Sequence, residues 1–99
     1  MEVRMYLGIA AACEGNIQEF PTGERHAFNL FLAQEVGSDP DLALAEDAVK
    51  NEFWSDIELT KTGIFNSKAV DNSEPPFPGL YKQALANGSA LLIYLDPVP

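Results

Sequence analysis

Two long segments with alternating side chains constrain the fold of this chain most strongly. One side of residues 2–12 carries Val3, Met5, Leu7, Ile9 and Ala11, and one side of residues 25–36 carries Phe28, Leu30, Leu32 and Val36. A period of two residues is the period of a β-strand. Turn residues lie between the segments, at Gly15-Asn16 and at Pro21-Thr22-Gly23. The sequence therefore predicts two antiparallel strands joined by a loop.

After Gly37 the apolar residues recur every three to four positions instead of every second position, which predicts a helix. Ser38 or Asp39 can cap its first turn, where Pro40 also fits because its missing N–H is not needed there. Residues at helical spacing form its expected core side: Leu42, Ala45, Ala48, Val49 and Phe53. A second, shorter helix is predicted from about residue 78 to residue 87, and Gly88 suits its left-handed stop.

Two further strands complete the expected architecture. Residues 56–60 alternate strictly, residues 66–76 are rich in turn formers, and residues 90–95 are apolar on both sides, which is typical of a central strand. The resulting order, β-β-α-β-α-β, predicts a single α+β domain over residues 1–99. We expect a two-layer sandwich with a four-stranded mixed sheet and both helices on one face.

This architecture predicts an uncovered sheet face. If both helices pack on one side, the other side presents large apolar side chains: Tyr6, Phe31, Leu92 and Tyr94. An exposed aromatic patch usually marks an interface, so a homodimer or a docked partner is expected there. The alternative is that the 66–76 loop folds over this face.

The charge of the chain excludes some partners and suggests others. The sequence has 15 acidic and 6 basic residues, a net charge of −9, and residues 35–60 hold eight of the acids with a single lysine. This balance argues against binding to nucleic acid or to an anionic membrane. The candidate acidic surface consists of Glu35, Asp39, Asp41, Glu46, Asp47 and Glu58. It suits a non-enzymatic module, similar to an inhibitor or an immunity protein, that binds a basic protein; alternatively, the acids only keep the helix solvated.

Few residues are available for catalysis or metal binding. Cys13 and His26 are the only cysteine and histidine, too few for a zinc site, and neither a glycine-rich phosphate loop nor a nucleophile elbow is present. We expect no cofactor and no enzymatic activity. Two alternatives stay open: a ligand or enzyme site near Cys13, Glu14 and His26, between the 14–24 and 66–76 loops, and a purely structural homodimeric subunit.

The single cysteine and the N-terminal segment bear on location. Cys13 cannot form a disulfide within the chain, which points to the cytoplasm. The apolar residues 5–13 superficially resemble a lipoprotein signal, but Glu2 offsets Arg4, so we expect a buried strand instead. No apolar run approaches the roughly 20 residues of a membrane helix.

Overall fold

Four antiparallel strands form the sheet that carries the helices. The computed structural model describes residues 1–15 and 20–99. Its elements are, in chain order, β1 (Glu2–Ala12), β2 (Arg25–Gln34), α1 (Leu42–Lys50), β3 (Trp54–Phe65), α2 (Ser67–Asp71), α3 (Phe77–Asn87) and β4 (Ser89–Pro97). The strand order is β3-β1-β2-β4. The molecule is thus a small α+β domain with a four-stranded sheet and three helices, and the predicted α+β class is confirmed.

The predicted mixed sheet is wrong, because every neighbouring pair of strands is antiparallel. The α1 crossover does join two strands that run in the same direction, β2 and β3. However, β1 lies between them and runs the opposite way. The sequence of a strand, a helix and a strand predicts a crossover, but it does not show whether another strand lies between the two that are joined. Whether the sheet is mixed or antiparallel depends on that order.

The prediction that both helices lie on one face is also wrong. On one side of the sheet, which we call the α1 face, Tyr6, Phe28 and Leu30 pack with Ala45 and Val49 of α1. On the other side, the α3 face, the buried cluster consists of Val3, Phe31, Phe65, Val70, Ala84 and Ala90, joined by Phe77 and Tyr81. Both faces of β1 and β2 carry large apolar side chains, so each face requires its own cover.

The ends of α1 differ from the prediction. Asp41 is the N-cap, and its Oδ1 accepts a hydrogen bond from the Leu44 amide at 3.0 Å. Leu42 in the first turn is 55% exposed, and Phe53, which follows the helix, is 52% exposed. Phe53 has a φ of 64°, which turns the chain into β3. The core contacts of α1 therefore come mainly from Ala45 and Val49, which are fully buried.

The other elements differ from the prediction mainly in length and position. Helix α3 begins one residue before its predicted start, and α2 lies inside the predicted 66–76 loop. Strand β3 is 12 residues long and exceeds the five predicted. Strand β4 lies at the edge of the sheet rather than at its centre. It is apolar on both sides because the sheet packs against helices on both sides.

Within residues 1–15 and 20–99, no helix has the length and hydropathy that crossing a membrane requires.

Candidate partner-binding surface

Five of the six predicted acidic residues lie on or next to α1. Glu35 follows β2, Asp39 and Asp41 precede the helix, and Asp47 is exposed on it. Glu46 is half-buried. The predicted surface is therefore divided between the segment that leads into α1 and the exposed side of the helix itself.

Glu58 is not part of this surface. Its neighbours on β3, Ile57 and Leu59, pack against the cluster of the α1 face. Because successive side chains of a strand point to opposite faces, Glu58 points away from α1. Its Oε2 lies 3.1 Å from Nη2 of Arg25, so its charge is partly balanced there.

A hydrogen-bond network fixes the start of α1 to the sheet. The Tyr6 hydroxyl donates to Oε1 of Gln34 at 2.5 Å and accepts from the Asp41 amide at 2.9 Å. Nε2 of Gln34 donates to the Asp39 carbonyl at 3.2 Å. Tyr6 is fully buried and Gln34 nearly so. These contacts hold the acidic segment 39–41 in one position relative to β1 and β2.

A groove of about 480 Å³ runs beside α1. Helix α1 lines it with Leu44, Asp47 and Ala48, and β2 lines it with Leu32 and Ala33. The other lining residues are Asn51 and Glu52 after α1, and Asn87, Gly88 and Ser89 where α3 leads into β4. The lining therefore combines apolar and polar residues.

The electrostatics of this groove favour a cation. Asp47 and Glu52 are the charged residues among those that line it, and no lysine or arginine lines it. The C-terminal ends of α1 and α3 both meet the groove, and a helix C-terminus carries a partial negative charge. The carboxylate of Asp47 and the two helix C-termini thus have the same sign, and Lys50 in the last turn of α1 offsets part of the charge at the end of that helix.

Sequence reasoning found Asp47 but missed the rest of the groove. The end of α3 was predicted at residue 87, and Gly88 was identified as a helix stop. The ends of α1 and α3 meet because β4 pairs with β2. No local pattern carries that information, so Glu52, Asn51 and Asn87 gave no signal as members of one site.

His26 is buried and hydrogen-bonded through both ring nitrogens. Its side chain is completely buried, with Nδ1 2.7 Å from the Tyr94 carbonyl oxygen and Nε2 2.7 Å from Oε1 of Glu24. The ring lies against Phe20, with ring centroids 4.2 Å apart. The Nδ1 contact connects β2 with β4, and the Nε2 contact joins the ring to Glu24 just before β2.

Cys13 and Glu14 differ from His26 in their exposure to solvent. Cys13 is half-buried and Glu14 is exposed. In the part of the chain that the structure describes, no hydrogen bond joins Cys13 to His26. With both ring nitrogens of His26 occupied and no solvent access, His26 is not placed to activate the thiol.

The pocket predicted between the 14–24 and 66–76 loops is wrong. The first loop adjoins the end of β1 where Ala12 pairs with Trp54, and the second adjoins the opposite end, where Val3 pairs with Phe65. Strand β1 separates these ends by about 30 Å at the usual rise per residue. Residues 16–19 of the first loop, including Asn16 of the predicted turn, lie outside the described residues.

The predicted aromatic patch is not continuous. Tyr6 is completely buried on the α1 face, and Phe31 is completely buried on the α3 face. Leu92 is half-buried against the α3-face cluster, and only Tyr94, at 42%, is substantially exposed. The patch was predicted on the premise that one face is uncovered, and α3 covers much of that face.

Among the described residues, no group of three or more histidine, cysteine, aspartate or glutamate side chains is arranged to hold a metal ion. Comparison with known proteins gives no relative: no protein-family model matches the chain, and neither a curated protein nor a solved structure is significantly similar to it.

Proposed function

We propose that this chain is a non-enzymatic protein-binding module, similar to an inhibitor or an immunity protein, that binds a basic segment of a partner protein. The groove beside α1 supports the proposal, because Asp47 lies in its lining and no lysine or arginine does. The ends of α1 and α3 add negative potential to the same recess. A lysine or arginine side chain of a partner complements this arrangement.

The apolar part of the lining specifies the kind of contact. Leu44, which is 47% exposed, offers apolar surface in the same recess as the carboxylates. Lysine and arginine have apolar stems that pack on such surface while the charged end meets an acid. The groove thus suits a basic side chain within a partly apolar segment better than a free small cation.

The acids outside the groove have a different role in this proposal. Glu35 and Asp39 are exposed near the start of α1. Exposed charges of one sign accelerate the approach of an oppositely charged partner and contribute less to the final affinity. Raising the salt concentration should therefore slow association, while the contacts inside the groove are screened less.

The test compares two variants that change the charge by the same amount. Asp47→Lys reverses a charge inside the groove, and a lysine near the C-terminus of α1 is compatible with the helix. Glu74→Lys reverses an exposed charge outside it. Each protein is used to capture partners from a lysate of the source organism, and the captured basic protein is then titrated in pure form.

We expect Asp47→Lys to weaken the binding of that basic protein by about tenfold or more, and Glu74→Lys to leave it nearly unchanged. Thermal unfolding of both variants serves as the control for folding. Equal affinities of Asp47→Lys and the original protein would contradict the proposal, as would captured partners that are acidic or absent.

A further inference from the structure

The two edges of the sheet are protected to very different extents. Strand β3 forms one edge, where Asp56, Glu58 and Lys61 are exposed and Asp56 has a φ of 47°, which interrupts the regular strand. Charges and irregular backbone at an edge prevent pairing with other strands. Strand β4 forms the other edge, and from Ser89 to Leu95 it has neither a charged residue nor a proline.

The register of β4 shows which of its backbone groups point toward β2 and which point away from it. The Ala33 amide donates to the Gly88 carbonyl at 2.9 Å. Bonded and non-bonded pairs alternate along an antiparallel ladder, so Ala90 and Leu92 direct their N–H and C=O groups toward β2. Ser89, Leu91 and Ile93 consequently direct theirs outward, at the edge of the sheet.

We propose that β4 pairs with β4 of a second copy of this chain, antiparallel and centred on Leu91. In that register Leu91 faces Leu91 of the other copy, and Ser89 faces Ile93 in both directions. Each of these pairs exchanges both of its N–H···O bonds. The result is one continuous eight-stranded sheet, in which the outward groups of both edges are satisfied.

The distribution of charge favours a second copy over a basic partner at this edge. The net charge of −9 arises from residues 1–60, because residues 61–99 contain three acids, Asp71, Glu74 and Asp96, and three lysines, Lys61, Lys68 and Lys82. Ser89, at one end of the contact, also lines the acidic groove, but the six residues from Ala90 to Leu95 carry no charge. The centre of the edge thus offers no charge to a basic segment and none that repels a second copy.

Side chains next to the edge suit this contact. Leu95 is 76% exposed, and Leu91 is half-buried beside the α1-face cluster. Pairing the two edges removes apolar surface of both from water in both copies. Ser89 belongs to both surfaces, but the contact is centred on Leu91, which does not line the groove, so variants at Leu91 and at Asp47 test the two proposals separately.

The first test uses the unaltered chain. Its mass is measured by light scattering over a concentration series, together with amide hydrogen exchange. We expect a dimer of twice 10.8 kDa at high concentration. We also expect the amides of Leu91 and Ile93 to become protected as the dimer forms, whereas the amide of Leu92 is protected at every concentration. A monomer throughout, or a dimer with rapidly exchanging Leu91 and Ile93 amides, would overturn the proposal.

The second test uses matched substitutions at the two edges. Leu91→Lys places like charges opposite each other at the centre of the contact, and Ile57→Lys makes the same change on β3. Both original side chains are half-buried against the same cluster. We expect Leu91→Lys to raise the dimer dissociation constant by about tenfold or more, and Ile57→Lys to leave it unchanged. A dimer weakened equally by both substitutions would contradict pairing through β4.

Discussion

At the scale of single residues, Gly8 is the glycine whose surroundings leave no room for a side chain. A Cβ atom at Gly8 would lie 2.2 Å from the carbonyl oxygen of Glu58 and 2.8 Å from Cζ of Phe28. The register between β1 and β3 shifts at this point, between Leu7 and Gly8. The absence of a side chain allows β3 and the ring of Phe28 to approach the same stretch of β1.

Replacing Gly8 by alanine should therefore destabilise the fold. The nearest atom belongs to the backbone of β3 and cannot move without disturbing the strand. We expect Gly8→Ala to lower the free energy of unfolding by about 3 kcal/mol, the upper end of the range for overpacking. Urea denaturation followed by the fluorescence of Trp54 measures this change. Gly63→Ala is the control. Gly63 lies in β3, the neighbouring strand, and no atom lies within 4 Å of the position that its Cβ would take.

A small effect of Gly8→Ala, equal to that of Gly63→Ala, would show that β3 can move away from β1 at low cost. The register shift would then be a flexible feature of the edge and not a consequence of the glycine. The sequence alone gave no reason to distinguish Gly8 from the other glycines, because the close contact is made with a residue fifty positions away.

At the scale of elements, α1 depends on one buried hydroxyl for its position. The Tyr6 hydroxyl connects Gln34 of β2 to the amide of Asp41, which precedes the helix. Removing it leaves a buried acceptor and a helix-end donor without their partner. We expect Tyr6→Phe to lower the free energy of unfolding by about 2 kcal/mol, because unsatisfied buried groups cost more than the bond itself contributes.

Hydrogen exchange can locate this effect within the molecule. Tyr6→Phe should accelerate hydrogen exchange at the amides of Asp41 and of the first turn of α1 more than at the amides of β1. Tyr94→Phe removes a hydroxyl from a side chain that is 42% exposed and serves as the control. Unchanged exchange at Asp41 would mean that the N-cap contact of Asp41 alone holds the helix start in place.

Elements were more predictable than their arrangement. The bounds of β1 and the approximate span of α3 follow from local periodicity and from Gly88, which are properties of short segments. The choice of faces does not, because Val3 and Tyr6 are both apolar and both buried, on opposite sides of the same strand. For the same reason Asp47 was identified as an acidic surface residue, whereas the groove around it depends on the pairing of β2 with β4.

At the scale of the whole molecule, one sheet connects two separate cores. The α1-face cluster contains Trp54, the only tryptophan, and the α3-face cluster contains Phe31 and Phe77. Strands β1 and β2 contribute side chains to both clusters. Both helix layers therefore pack against the same two strands. If one cluster is lost, β1 and β2 are exposed on that side, and the other cluster loses part of its support.

We therefore expect the two cores to unfold together. Phe77→Ala removes a ring whose centroid lies 6.1 Å from that of Phe31, and it should lower the free energy of unfolding by about 2 kcal/mol. Because the transition is cooperative, Trp54 fluorescence on the opposite face and far-ultraviolet circular dichroism should report the same lowered midpoint. Val36→Ala, at an exposed site after β2, should leave both midpoints unchanged.

The opposite result would separate the two layers energetically. If circular dichroism of Phe77→Ala showed an early partial transition while the Trp54 signal kept its original midpoint, α2 and α3 would be detaching from a sheet that α1 alone can hold. Strand β4 packs mainly against α3 and β2, so its edge would then loosen first. In that case dimerisation through β4 should weaken in Phe77→Ala as well, which links the cohesion of the α3 face to self-association.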